Sequence, residues 1–257
     1  MNVYQLLKPL SYFRILSLIS VFIMSTISGL AAAKSEPHGH YSSAYPPMAG
    51  TEYEQSVITI PIYDMARSET SPVEILKLTA FMRLEREKPI TNGLGYRQIE
   101  FTIADWELYG YSEYLDADVT FTLSELPVQP KSLVIALQEG SDYPSNIIYN
   151  AIYDVWIGQK RIVSNKPGVA FTKNVFEIPP RNVSVAFEKP TEIKDSSVLG
   201  VNTQAAVGRN AASEIIFRDG TCEDMLQITE EEYMLGKKVA EEVRKGLRSL
   251  KDSYYSH

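Results

Sequence analysis

Tyr96-Arg-Gln-Ile-Glu-Phe-Thr-Ile-Ala-Asp-Trp-Glu-Leu-Tyr-Gly-Tyr-Ser-Glu-Tyr-Leu-Asp-Ala-Asp-Val-Thr-Phe-Thr-Leu123 is the stretch whose reading decides the fold. Ile99, Phe101 and Ile103 share one face at period two, after which the apolar positions change parity to Trp106 and Leu108. An extra residue at Ala104-Asp105 does this, because a β-bulge inverts which side chains face the core. Gly110 breaks the strand. Alternation resumes with Val119, Phe121 and Leu123 inward and Thr120 and Thr122 outward. The stretch reads as two antiparallel strands joined by an aromatic, acidic connection.

Working outward, the same period recurs. Leu76, Leu78, Ala80, Met82 and Leu84 alternate with Lys77, Thr79, Phe81 and Arg83, which marks a half-buried strand. Further β-rich runs lie at Val57–Ile62, Ser132–Leu137, Asn146–Ile157, Arg161–Val163, Val169–Ile178 and Asn182–Phe187, separated by Pro, Gly and Asn turns. No helical run separates these strands. The expected fold is all-β: an antiparallel β-sandwich or jelly roll over residues 55–190, with a C-terminal amphipathic α-helix.

The flanks have different characters. Lys8 and Arg14 precede an apolar run from Ile15 to Leu30, and Ala31-Ala-Ala33 supplies small residues for cleavage, so 1–33 reads as a signal peptide. The run is shorter than a bilayer-spanning helix needs. The expected location is therefore exported, periplasmic or extracellular, with no stable membrane span after cleavage. If it is retained, the segment is an anchor. Residues 34–54 lack periodicity and read as a disordered leader, with His38 and His40 on it. Residues 191–228 read as a linker that accommodates short elements, around Thr203–Val207 and at Ile215–Phe217. Residues 229–254 read as the helix. Thr229-Glu-Glu-Glu232 is a capping-box pattern, and Leu235, Val239, Val243, Leu247 and Leu250 form a stripe that needs a partner.

Charge and composition exclude several functions. The chain carries a net charge of −7, and loss of 1–33 removes two bases and no acid, giving −9. Nucleic acid is therefore not an expected partner. Cys222 is the sole cysteine and reads as inert. The three histidines, His38, His40 and His257, lie near the chain ends, so a Ser-His-Asp or Cys-His centre inside the strand domain is not expected. No catalytic residue, metal ligand or cofactor is assigned.

Three functional readings remain. The first is a non-catalytic binding or structural module that meets a protein or glycan through Tyr109, Tyr111 and Tyr114, since Tyr is enriched at interfaces. The second is a small carboxylate-based glycan-active enzyme using acids such as Glu107 and Asp118. The parity of Glu107, between Trp106 and Leu108, also suits a solvent-facing position. The third is a subunit of an extracytoplasmic assembly, with oligomer contacts through the C-terminal helix. Glu113, Asp116 and Asp118 offer oxygen ligands for calcium but lack EF-hand spacing.

Overall fold

The computed structural model describes residues 44–65, 67, 70–126, 128–193 and 214–251. The expected export signal, His38 and His40, the helix expected around Thr203–Val207 and the end of the helix expected to reach 254 lie outside the described residues. The strands are β1 (Gly50–Asp64), β2 (Glu74–Arg86), β3 (Ile90–Thr91), β4 (Tyr96–Ser112), β5 (Ala117–Leu123), β6 (Lys131–Glu139), β7 (Ser145–Ile157), β8 (Lys160–Val175), β9 (Val183–Phe187), β10 (Thr191–Ile193), β11 (Ile215–Phe217) and β12 (Gly220–Gln227). Among the described residues one helix, α1 (Glu230–Arg244), follows.

The strands form a closed antiparallel barrel, and the expected sandwich or jelly roll is corrected. The order β1-β12-β9-β8-β7-β5-β4-β2 returns to β1, through a β1–β2 ladder that runs from Gly50↔Arg86 to Ile62↔Glu74. Period-two alternation says that one face of a strand is buried. It does not say whether a second sheet or the same sheet, curled round, covers that face.

The barrel also reaches beyond the expected domain limits. β1 begins at Gly50, inside the stretch expected to be a leader, and β10 to β12 occupy the stretch expected to be a linker. Tyr45 is buried as well; its backbone N–H donates to Asp142 at 2.8 Å. β12 sits between β1 and β9 and is indispensable to closure. Pro61, which has no N–H to donate, falls where the β1 edge changes partner from β12 (Thr59↔Thr221) to β11 (Ile62↔Phe217).

The bulge expected at Ala104-Asp105 is present: Arg83 pairs with Asp105 and Leu84 with Ile103, leaving Ala104 over. On the other edge of β4 two short strands lie end to end. β5 takes Glu107–Ser112 and β6 takes Tyr96–Thr102, and both continue onto β7, at Tyr153–Ile157 and Ser145–Ile148. The gap between them is bridged by side chains. Gln129 Nε2 donates to the carbonyls of Ser124 and Ile152, each at 3.2 Å, and its Oε1 accepts from Ile152 N–H at 2.9 Å. Ser132 Oγ accepts from Asn150 N–H at 2.9 Å.

Inside, apolar side chains gather into two clusters. One holds Ile60, Ile62, Leu76, Leu78, Val119, Phe121, Val155 and Phe217; the other holds Met82, Leu84, Ile99, Phe101, Ile103, Val134, Ile147 and Met225. Ile58 and Trp106 touch both.

Helix α1 starts with the expected capping box. Thr229 Oγ1 accepts from Glu232 N–H at 3.2 Å, and the Glu232 carboxylate accepts from Thr229 N–H at 2.9 Å. The helix packs on the outer wall at β1, β2, β4 and β5. Its buried residues are Tyr233, Gly236, Ala240 and Val243; of the expected stripe Val243 is buried, as is Leu250 beyond the helix, while Leu235 and Leu247 are 66% and 75% exposed. Gly236 is small where the wall supplies bulk, in Phe81, which stacks on Tyr109. Among the described residues no helix is long and apolar enough to cross a membrane.

Candidate functional site

The even-numbered positions of β1 point into the barrel. Ile58, Ile60 and Ile62 obey this parity, and so do Ser56 and Glu54. Between the two apolar clusters lies a cavity of about 100 Å³, bordered by Glu54, Ile60, Met82, Trp106, Tyr149 and Met225 among others. An eight-stranded barrel is just wide enough for its side chains to fill, or to hold one small ligand. On the scale of interior voids, about 150 Å³ admits a benzene ring and a water occupies about 30 Å³.

Glu54 is 4% exposed. Among the described residues no hydrogen-bond donor reaches its carboxyl, and burial, reinforced by the Glu52 carboxylate, pushes its pKa up to about 8. A carboxyl without a cation or donor is costly to ionise in a low-dielectric interior. Burial therefore favours the neutral form of this acid. Tyr149 lies beside it on β7, and part of the Tyr149 surface borders the cavity. Its phenol is raised well above its ordinary range by burial, then by Glu54 and Cys222, and no hydrogen bond acts on it. Glu54 and Tyr149 also border a smaller void of about 20 Å³, together with Glu52, Arg86, Ile178 and Pro180. There Arg86 Nε donates to Glu52 at 2.8 Å, and its Nη1 donates to the Pro46 and Met48 carbonyls.

The rest of the lining is aromatic and aliphatic. Trp106 and Tyr153 meet edge to face at 6.0 Å, and Phe121 and Phe217 at 5.6 Å. The Tyr153 hydroxyl is hydrogen-bonded to Thr191 Oγ1. Cys222 lines the cavity as a thiol outside any disulfide, 1% exposed.

The tyrosines singled out in the sequence serve packing: Tyr109 and Tyr111 beneath the C-terminal segment, and Tyr114 against the inner cluster that holds Ile60 and Ile62. Tyr111 is 9% exposed; its hydroxyl donates to Asp116, and the Lys251 ammonium stands 5.7 Å from its ring centre. Tyr109 stacks on Phe81 at 6.2 Å and joins Tyr111, Val243 and Leu250 in a small cluster. Tyr114 donates to Asp64 at 2.5 Å, with the Arg67 guanidinium 5.2 Å from its ring centre. The turn that carries them is held by Glu74, which accepts from the backbone N–H groups of Glu113 at 3.0 Å and Tyr114 at 3.2 Å.

The acids of this region are engaged by the C-terminal segment. Glu107, read from parity as solvent-facing, is 5% exposed because α1 covers it, and it accepts from Arg244 at 2.9 Å. Burial raises its pKa, and the Arg244 hydrogen bond and charge oppose the rise. Asp118 accepts from Leu250 N–H at 3.1 Å, and Asp116 pairs with Lys251. Sequence reasoning missed Glu54. The signal was there: the isoleucine parity of β1 extends backwards onto a carboxyl two steps before Ile58.

No protein-family model matches the chain, and no curated protein matches it. Among solved structures it is similar to DynF from the dynemicin biosynthesis pathway of Micromonospora chersina, with a TM-score of 0.47 and 10% sequence identity over 73% of this chain and 85% of that one.

Proposed function

We propose that this barrel is a non-catalytic binding protein that takes one small, mostly apolar molecule into its interior, between the two packed clusters. The observation that carries this is Glu54, a carboxyl buried without a partner at the edge of a cavity. Such a group weakens the fold by its desolvation, and a ligand that hydrogen-bonds to it relieves that cost. The Tyr149 hydroxyl offers a second polar contact beside it. Met82 and Met225 in the lining are flexible enough to repack around a guest. We place the protein outside the cytoplasm, on the strength of the charged, apolar and small-residue order of residues 1–33. The interior replaces the tyrosines as the binding site in this proposal, because Tyr109 and Tyr111 are already packed against the C-terminal segment and Tyr114 against the inner apolar cluster and Asp64.

The test is thermal denaturation of the full chain with toluene and with benzyl alcohol. A molecule that binds only the folded state raises the midpoint. A rise is expected for both, and it should vanish in Ala80→Phe, which fills the cavity from β2. If the midpoint is unmoved by either probe, the interior is not a binding site.

A further inference from the structure

Every ionisable side chain bordering the cavity is an acid. Among the described residues Glu54, Tyr149, Tyr153 and Cys222 are there, and no Lys, Arg or His is. A guest bearing a carboxylate or phosphate would meet a carboxyl and no cation, which like-charge repulsion and desolvation both oppose. Arg86 borders only the smaller void. Its guanidinium is already committed to Glu52 and to the Pro46 and Met48 carbonyls. Trp106, Tyr149 and Tyr153 border the same cavity, and aromatic rings attract cations.

Resting on the binding proposal above, we propose that the guest is an apolar amine: a ring-sized or short-chain hydrocarbon bearing one basic nitrogen that pairs with the Glu54 carboxylate. Atoms and charge balance simply. The protonated amine arrives from water, Glu54 gives up its proton to solvent, and an ammonium–carboxylate pair remains in the cavity. Below the pH at which Glu54 titrates, each binding event therefore releases one proton. Affinity for the amine then rises about tenfold per pH unit and levels off once Glu54 is ionised in the free protein. The groups that bear on this titration are Glu52 on β1 and Tyr149 on β7, the latter in turn beside Cys222 on β12, with Arg86 on β2 neutralising Glu52. Gln227 and Met82, the register partners of Glu54, add no charge.

The experiment is calorimetric titration of the full chain with benzylamine, benzyl alcohol and benzoate at pH 6, 7, 8 and 9. The three share a ring and differ in the charge of the substituent. Benzylamine is expected to bind more than about tenfold tighter than benzyl alcohol at pH 8. Its affinity should climb between pH 6 and 8, with proton release seen as buffer-dependent heat, while benzoate gives no signal. Glu54→Gln should remove the amine's advantage and its pH dependence. Should that variant fail to fold, the pH series on the unaltered chain decides the matter alone. Benzylamine binding no tighter than benzyl alcohol, or benzoate binding as well as either, overturns the amine assignment while the binding proposal stands. If neither the amine nor the alcohol binds, both fall.

Discussion

The ring of Phe81 on β2 presses against the backbone of α1 at Gly236, so closely that a Cβ there would lie 2.2 Å from Phe81 Cζ. Glycine in a helix interior costs about 1 kcal/mol against alanine. Here the missing side chain is what lets helix and wall meet. Gly236→Ala is expected to destabilise the protein by about 1–3 kcal/mol, the usual penalty for overpacking. In a Phe81→Ala background the same change should become neutral or stabilising, as helix propensity takes over. Urea denaturation of the four proteins checks this, and a stabilising Gly236→Ala in the original background would disprove the close contact.

Glu54 makes stability depend on pH. Its folded pKa is raised, from 4.5 to about 8. Between those values the folded state holds a proton that the unfolded state has released, so stability falls as pH rises. The slope is up to about 1.4 kcal/mol per pH unit. Other groups titrate too, so the readout is the difference between the unaltered chain and Glu54→Gln. That difference should grow in favour of the variant from pH 5 to pH 8 and then flatten. Parallel curves would show that Glu54 is ionised in the fold.

Arg244 neutralises Glu107 under α1 and also lies 5.7 Å from the Trp156 ring centre. Arg244→Met keeps much of the packing and removes the charge, leaving a buried carboxylate alone. The expected loss is about 3 kcal/mol, as for other broken buried pairs. Adding Glu107→Gln should recover most of it. Chemical denaturation of the single and double variants measures the recovery, and none would mean that Arg244 acts through packing.

Cys222, buried among the lining residues, should resist alkylation in the native protein and react at a rate set by unfolding. Labelling with iodoacetamide followed by mass spectrometry reads this directly. Rapid modification under native conditions would show that the cavity is open to solvent at β12.

The residues that announced the fold did so through local pattern. The parity change around Ala104-Asp105 named a bulge, and Thr229 with Glu232 named a helix start, because both are consequences of neighbours in sequence. Closure could not be read this way, since the β1–β2 ladder shows that a barrel and a sandwich alternate alike along each strand. β1 looked shorter than it is because Glu54 and Ser56 put polar atoms on its inward face, which hides the alternation. β11 stands where the Ile215–Phe217 run suggested a short element, whereas β10, three residues long, is below what a periodic signal can mark. Tyr109 and Tyr111 looked available because nothing local foretells that α1 and its following turn will settle over them.

Interrupting a wall strand has a cost in the backbone ladder and a consequence for access. From Ile103 to Trp106 on β4, and from Tyr149 to Ile152 on β7, neither β5 nor β6 supplies a backbone partner, and Gln129 and Ser132 lace β7 with side chains instead. Ile103, Trp106, Tyr149 and Ala151, which flank this interruption, also border the cavity. The barrel thus has a shuttered window in its side, directly in front of its interior room. The amides of Asn150 and Ile152 are latched by two side-chain bolts where their neighbours are held by a continuous ladder, so they should be the first in β7 to exchange their hydrogens with solvent.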